Sequence, residues 1–183
     1  MNRRTEYHDA MSNILKDAKQ PLHFLVVENN PDDAYLIARA FKKVPQCGTL
    51  SLTRNTSEAK AYLKGAGMYS DRARFPFPSA VLSDFSMQGE TGVQLLKWIQ
   101  NDPGLVRIPF ILLTGSASQK DREEAAKFGA VRVVSKSSDT EKMKQTLEDL
   151  AQWLCSDKVR SGPYPKIGET QFQQIASPQK ANS

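Results

Sequence analysis

The chain has 183 residues, 39% hydrophobic and 25% charged, which fits one ordinary soluble domain with sequence to spare and excludes a disordered or fibrous polypeptide. A net charge of +5 and a pI near 9.2 raise nucleic acid as a partner. The basic residues are dispersed, however, with no basic block and no helix-turn-helix pattern, so no nucleic-acid binding is expected. No stretch approaches the roughly 18 consecutive apolar residues of a membrane span, and the first 20 residues lack a signal-peptide core, so the expectation is a cytoplasmic protein without a membrane segment.

Residues 1–20 form an N-terminal extension in which MSNILKDA can be a short helix. LHFLVV (22–27) is an apolar run that predicts a strand buried on both faces. A helix follows, with Leu36, Ile37, Ala40, Phe41 and Val44 at helical spacing and Pro31 in its first turn. Asn30, Asp32 and Asp33 are read as helix-start residues, and Pro45 and Gly48 end the helix. TLSLTR (49–54) is a second strand, and Thr56 or Ser57 can cap the helix that stops at Gly65. KGAGMYSDRARFPFP (64–78) exceeds the usual connection of 2–6 residues and reads as a surface loop.

AVLSDF (80–85) predicts the third strand, and TGVQLLKWIQND a helix with Val93, Leu96 and either Trp98 or Ile99 facing inward. RIPFILLTG (107–115) is the fourth strand, followed by a short polar helix closed by Gly129. VRVVS (131–135) is the fifth, and DTEKMKQTLEDLAQWL an amphipathic helix with Met143, Leu147, Leu150, Ala151 and Leu154 on one stripe. Five strand–helix units in succession imply an α/β fold, a parallel sheet doubly wound with helices on both faces. Residues 21–155 make this domain, and 156–183 are an irregular or disordered tail, too short for a typical output domain. Cys47 and Cys155 are too few and too far apart for a disulfide scaffold or a metal cluster. His8 and His23 show no catalytic spacing and are read as structural.

In such a sheet functional groups gather at the carboxyl ends of the strands. Glu28 and Asn29 follow strand one, Asp84 ends strand three, Thr114 ends strand four and Lys136 follows strand five. A carboxylate can attack a phosphoryl group only if the charges of both are offset, commonly by Mg²⁺ held through one or two carboxylates. Glu28 and Asp84 can hold such an ion, Lys136 can pair with Asp84 or a phosphoryl oxygen, and the Thr114 hydroxyl can donate to that oxygen.

FLVVENN, VLSDFSMQGETG, ILLTGSAS and VVSKSS, in this order and spacing, resemble the receiver domain of response regulators over about residues 21–154. The long 64–78 loop is most similar to that of the single-domain regulators serving bacterial phytochromes. The resemblance implies a flavodoxin-like sheet of order 2-1-3-4-5 and a non-enzymatic signalling module in a two-component phosphorelay. It implies Asp84 as phospho-acceptor, Thr114 as switch hydroxyl, Lys136 as the family's lysine, and Glu28 as the first pocket acid. Mg²⁺ would be held by Glu28, Asp84 and the Ser86 backbone carbonyl, with Asn29 beside them. The implied partners are a histidine kinase, such as a bacteriophytochrome, and a second copy of the chain in a homodimer.

Four positions depart from the family pattern. Asn29 stands where a second acid is usual, Gln88 and Ser137 where prolines are usual, and Val133 where an aromatic swings with the threonine. A charge pair at about 4 Å is worth roughly 4 kcal/mol at an effective dielectric near 20, before desolvation, so Asn29 should weaken the metal site. Without the cis proline the Lys136 loop is expected to loosen. These changes motivate the alternative of a pseudo-receiver, a phosphorylation-independent binding or dimerisation module. A phosphatase of the haloacid dehalogenase type would need a second Asp where Ser86 stands, and a flavin binder would need a Ser/Thr/Gly-rich loop in place of ENNPDD.

Overall fold

The computed structural model describes residues 21–87, 89–115 and 119–156. The readings made on residues 1–20, on Gln88 and on the tail beyond 156 lie outside the described residues. In chain order the elements are β1 (His23–Val27), α1 (Pro31–Phe41), β2 (Thr49–Thr53), α2 (Thr56–Lys64), β3 (Ala80–Asp84), α3 (Gly92–Gln100), β4 (Phe110–Thr114), α4 (Gln119–Lys127), β5 (Arg132–Ser135) and α5 (Thr140–Leu154). The five strands form one sheet of order β2-β1-β3-β4-β5, with every pairing parallel. That is the expected flavodoxin-like receiver topology. No described helix is long and apolar enough to cross a membrane.

β1, β3 and β4 are buried at every residue because helices cover both faces, which is why they read as continuous apolar runs. Alternate residues divide between two cores. Phe24, Val26, Leu82, Ile111 and Leu113 pack against Ile37, Ala40 and Phe41 of α1 and Met143, Leu147 and Leu150 of α5. Leu25, Val27, Val81, Phe110 and Leu112 pack against Tyr62 and Leu63 of α2, Leu95, Leu96 and Ile99 of α3, and Ala125 of α4. All five residues of the predicted α5 stripe are buried.

Two local readings are corrected and one alternative is decided. The cap of α2 is Asn55, whose side chain accepts from the Glu58 N–H at 2.8 Å while the Glu58 carboxylate accepts from the Arg54 N–H. Thr56 is free to turn inward, where it is buried and its hydroxyl donates to Glu90 at 2.7 Å. On α3, Ile99 takes the inner position, and Trp98 lies half-buried beneath the Lys60 and Lys64 ammonium groups. On α1, Ala34 is buried in preference to Leu36.

The 64–78 loop is docked to the domain. The Arg72 guanidinium donates to the Tyr62 and Leu63 carbonyls at the end of α2, each at 2.9 Å, and stacks over Tyr62 and Phe77. The Tyr62 hydroxyl donates to the Pro76 carbonyl at 2.8 Å. That same hydroxyl meets His23 Nε2 at 2.8 Å, and His23 Nδ1 meets the Thr49 hydroxyl at 2.7 Å. With the Tyr62 proton committed to Pro76, the network assigns the His23 proton to Nε2, and the neutral imidazole is fully satisfied.

Burial pushes the His23 imidazole down to about 4. The unfolded chain takes up a proton near the ordinary histidine pKa while the fold refuses it, so stability is present above that pKa and falls as pH drops toward the folded value. Denaturant unfolding should therefore show a loss of up to about 2 kcal/mol between pH 7 and pH 5, and His23→Gln should flatten this dependence.

Candidate functional site

The sheet register sets the site. Val27 pairs with Ser83, Asp84 with Leu113 and Thr114 with Ser135, so the carboxyl ends of β1, β3, β4 and β5 lie level on one rim. Glu28 is the first residue past β1, its N–H donating to the Thr53 carbonyl at 3.0 Å and its Oε1 accepting from the Asn30 N–H at 3.0 Å. Asn30 also caps α1, its side chain accepting from the Asp32 and Asp33 N–H groups at 2.9 and 3.3 Å. The turn from β1 into α1 is thereby fixed by one carboxylate and one amide.

Lys136 enters the rim from β5, its N–H donating to the Thr114 carbonyl at 2.7 Å. Its ammonium crosses to the first and third strands. Nζ lies 2.6 Å from Glu28 Oε2, 2.9 Å from Asp33 Oδ2 and 3.1 Å from Asp84 Oδ1. The Glu28 side chain is 0% exposed and that of Lys136 is 13% exposed, so the pair is desolvated and its geometry matters energetically. Glu28 Oε2 is a buried atom that faces the Lys136 ammonium.

Burial alone would lower the Lys136 pKa, but hydrogen bonds to Glu28 and Asp33 and the charges of Glu28 and Asp84 outweigh it and leave the ammonium held above its ordinary value. Burial pushes Glu28 up, against the opposing pull of Lys136 and the Asn30 N–H. The two directions act oppositely on one ion pair. The lysine's is the firmer, because three carboxylates share its charge whereas Glu28 has one cation and no solvent.

The remaining predicted residues fall on the same rim. Thr114 is buried at the end of β4, Asn29 is half-buried and Ser86 is exposed in the bend after β3. That bend is tight: a methyl group on Gly92 would overlap the Asp84 carbonyl oxygen and the Leu112 side chain, so only glycine lets α3 start there. Glu90 ties the bend to α2 by accepting from the Thr56 hydroxyl at 2.7 Å and the Lys60 ammonium at 2.6 Å. Among the described residues, no group of three or more His, Cys, Asp or Glu side chains is arranged to hold a metal ion.

Asp33 is the residue that sequence reasoning missed. It does start the helix, but it also reaches the lysine. Nothing in the sequence set it apart from its neighbour Asp32. The Lys136 loop has several side-chain anchors. The ammonium is held by three carboxylates, and the Ser137 hydroxyl accepts from the Asp139 N–H at 3.1 Å just before α5.

The response regulator receiver domain model matches residues 24–148, and the chain belongs to that family of non-catalytic signalling domains. Within it, the chain is homologous to phytochrome-associated response regulators. It is similar to the cyanobacterial phytochrome response regulator RcpA, solved in phosphorylated form, with 25% identity and a TM-score of 0.66 over 75% of this chain and 96% of that one. It is also similar to the bacteriophytochrome response regulator AtBRR, with 27% identity and a TM-score of 0.60 over 72% and 93%. By sequence it is 30% identical to the probable methanogenesis regulatory protein FilR2 of Methanothrix harundinacea over 80% of this chain and 92% of that protein.

Removing the shared cation leaves Glu28 charged, buried and unpaired. Lys136→Met should destabilise the protein by about 3 kcal/mol at neutral pH. Because burial already pushes the Glu28 pKa up, the deficit should shrink as pH falls and Glu28 takes up a proton, which unfolding curves at pH 7.5 and pH 5.5 would measure.

Proposed function

We propose that this chain is a phospho-receiver: a histidine kinase transfers a phosphoryl group to Asp84, and the altered rim is read by a protein partner. The observation that carries this reading is the approach of Lys136 Nζ to Asp84 at 3.1 Å on a rim shared with Glu28 and Thr114, in a chain of the receiver family. An Asp84 carboxylate oxygen forms the new P–O bond as the P–N bond to the kinase's phosphohistidine breaks. The bonding pair stays on the imidazole nitrogen, which takes up a proton, and Asp84 becomes an acyl phosphate.

Lys136 has two tasks in this reading. It offsets the Asp84 charge before transfer and a phosphoryl oxygen after it, which a short, desolvated ammonium contact does well. Thr114, at the adjacent strand end, donates its hydroxyl to another phosphoryl oxygen. Drawn toward the phosphoryl group, it carries the change into the β4–α4 surface.

The residues present suit a divalent cation. Glu28 and Asp84 are buried carboxylates that face one point, now taken by the Lys136 ammonium, and hard oxygen donors of this kind suit Mg²⁺. Glu28 and Asp84 would hold the ion, with the Asn29 amide oxygen and the Ser86 carbonyl as neutral donors. When bound, it supplies positive charge that offsets the phosphoryl oxygens. The response regulator Rcp1, similar in fold to this chain, has been solved in a Mn²⁺-bound form.

Likeness to RcpA and AtBRR supports a bacteriophytochrome-type histidine kinase as donor and a homodimer as the working form. Static light scattering should give twice the chain mass, and a monomer mass would remove the dimer. The second reading, a phosphorylation-independent binding module, is favoured by the neutral amide of Asn29 where a charge would assist the metal.

Incubation of the full chain with Mg²⁺ and a small acyl phosphate or a cognate kinase separates the two. Intact-mass measurement should show one phosphoryl adduct on the wild type and none on Asp84→Asn. A wild-type chain left unmodified by a competent kinase would leave the binding-module reading in its place.

A further inference from the structure

Asp33 is a charged group in contact with the rim lysine to which the receiver reading gives no task. It sits in the first turn of α1, with its side chain 36% exposed, and its Oδ2 accepts from the Lys136 ammonium at 2.9 Å. Glu28 and Asp84 contact the same nitrogen. Three carboxylates therefore face one ammonium, and Asp33 supplies the excess negative charge that position 29, an amide, does not. The Glu28 side chain has no solvent exposure, so water does not screen the charge that Lys136 leaves on it.

Lys136 and a divalent cation compete for the same two carboxylates. An ammonium that gave its whole charge to Glu28 and Asp84 would leave them little attraction for a second cation. An ammonium shared with Asp33 neutralises them less and has an anion to remain beside when a cation enters. We propose that Asp33 stands in electrostatically for the carboxylate absent at Asn29, acting as a positioning residue that draws Lys136 charge off Glu28 and Asp84 and so preserves the pocket's affinity for a divalent cation. This rests on the cation pocket of the receiver reading, but not on transfer of a phosphoryl group.

Asp32 provides an internal control. It lies in the same first turn, favours the helix N-terminus in the same way and is exposed, yet Lys136 pairs with Glu28, Asp33 and Asp84 and not with it.

The test is calorimetric titration of the full chain with Mg²⁺ or Mn²⁺ at low ionic strength, with no phosphodonor present. Asp33→Asn should weaken binding about tenfold, because the charge is partly screened by solvent. Asp32→Asn should change it less than about twofold, and Asp33→Glu, which keeps the charge, should retain most of the affinity. The decisive variant is Asn29→Asp combined with Asp33→Asn, which should return affinity to within about threefold of wild type, since it restores one carboxylate to the pocket.

Unchanged affinity in Asp33→Asn overturns the proposal. So does a double variant that melts like wild type but binds as weakly as Asp33→Asn, or a wild-type chain that binds no divalent cation. If these titrations behave as expected while Asp84 accepts no phosphoryl group, the signalling reading fails and the role of Asp33 stands.

Discussion

The rim of this sheet depends on a single buried ammonium. Glu28 follows a strand covered on both faces, so its side chain is removed from water as a consequence of the fold, and a carboxylate in that position is tolerable only beside a cation. Lys136 provides it from β5 by reaching past β4, the strand that lies between β3 and β5 in the sheet. The same ammonium draws in Asp84 and Asp33, so three carboxylates, at the ends of β1 and β3 and in α1, are positioned by one charge. The order of the strands and the burial of Glu28 together make the lysine necessary.

The packing on each face then fixes where those groups sit. α1 and α5 share the core beneath Phe24, Val26, Leu82 and Ile111, which sets the rotation of α1 and hence the direction in which Asp33 projects. On the opposite face, α2 holds the bend after Asp84 through Thr56, Lys60 and Glu90, and the glycine at 92 lets α3 begin against the Asp84 carbonyl. Chemistry at the rim therefore rests on strand ends and first helical turns, elements whose backbone hydrogen bonds leave little freedom.

Departures from the family pattern acquire physical meaning in this setting. Asn29 is a neutral amide beside a pocket in which Asp33 also contacts the lysine. Ser137 lacks the rigidity of a proline but accepts from the Asp139 N–H, and Asp139 in turn caps α5. Val133 remains half-buried against the core of the α2–α4 face, a smaller side chain than the swinging aromatic it replaces.

Much of this was legible in the chain itself. Apolar runs at 22–27, 80–85 and 107–115, alternating with amphipathic segments, determined a parallel sheet wrapped by helices, because only strands buried on both faces need such runs. The positions of Glu28, Asp84, Thr114 and Lys136 at strand ends followed from that pattern, and their common rim from the rule that parallel strands end on the same side. What only the tertiary structure decided was which groups touch: that Lys136 shares its charge with Asp33, 103 residues away, that Asn55 and not Thr56 caps α2, and that Arg72 docks the long loop. Each depends on the rotation of a packed helix or the reach of a long side chain, and neither is encoded locally; both are set by the summed contacts of two cores drawn from the whole domain.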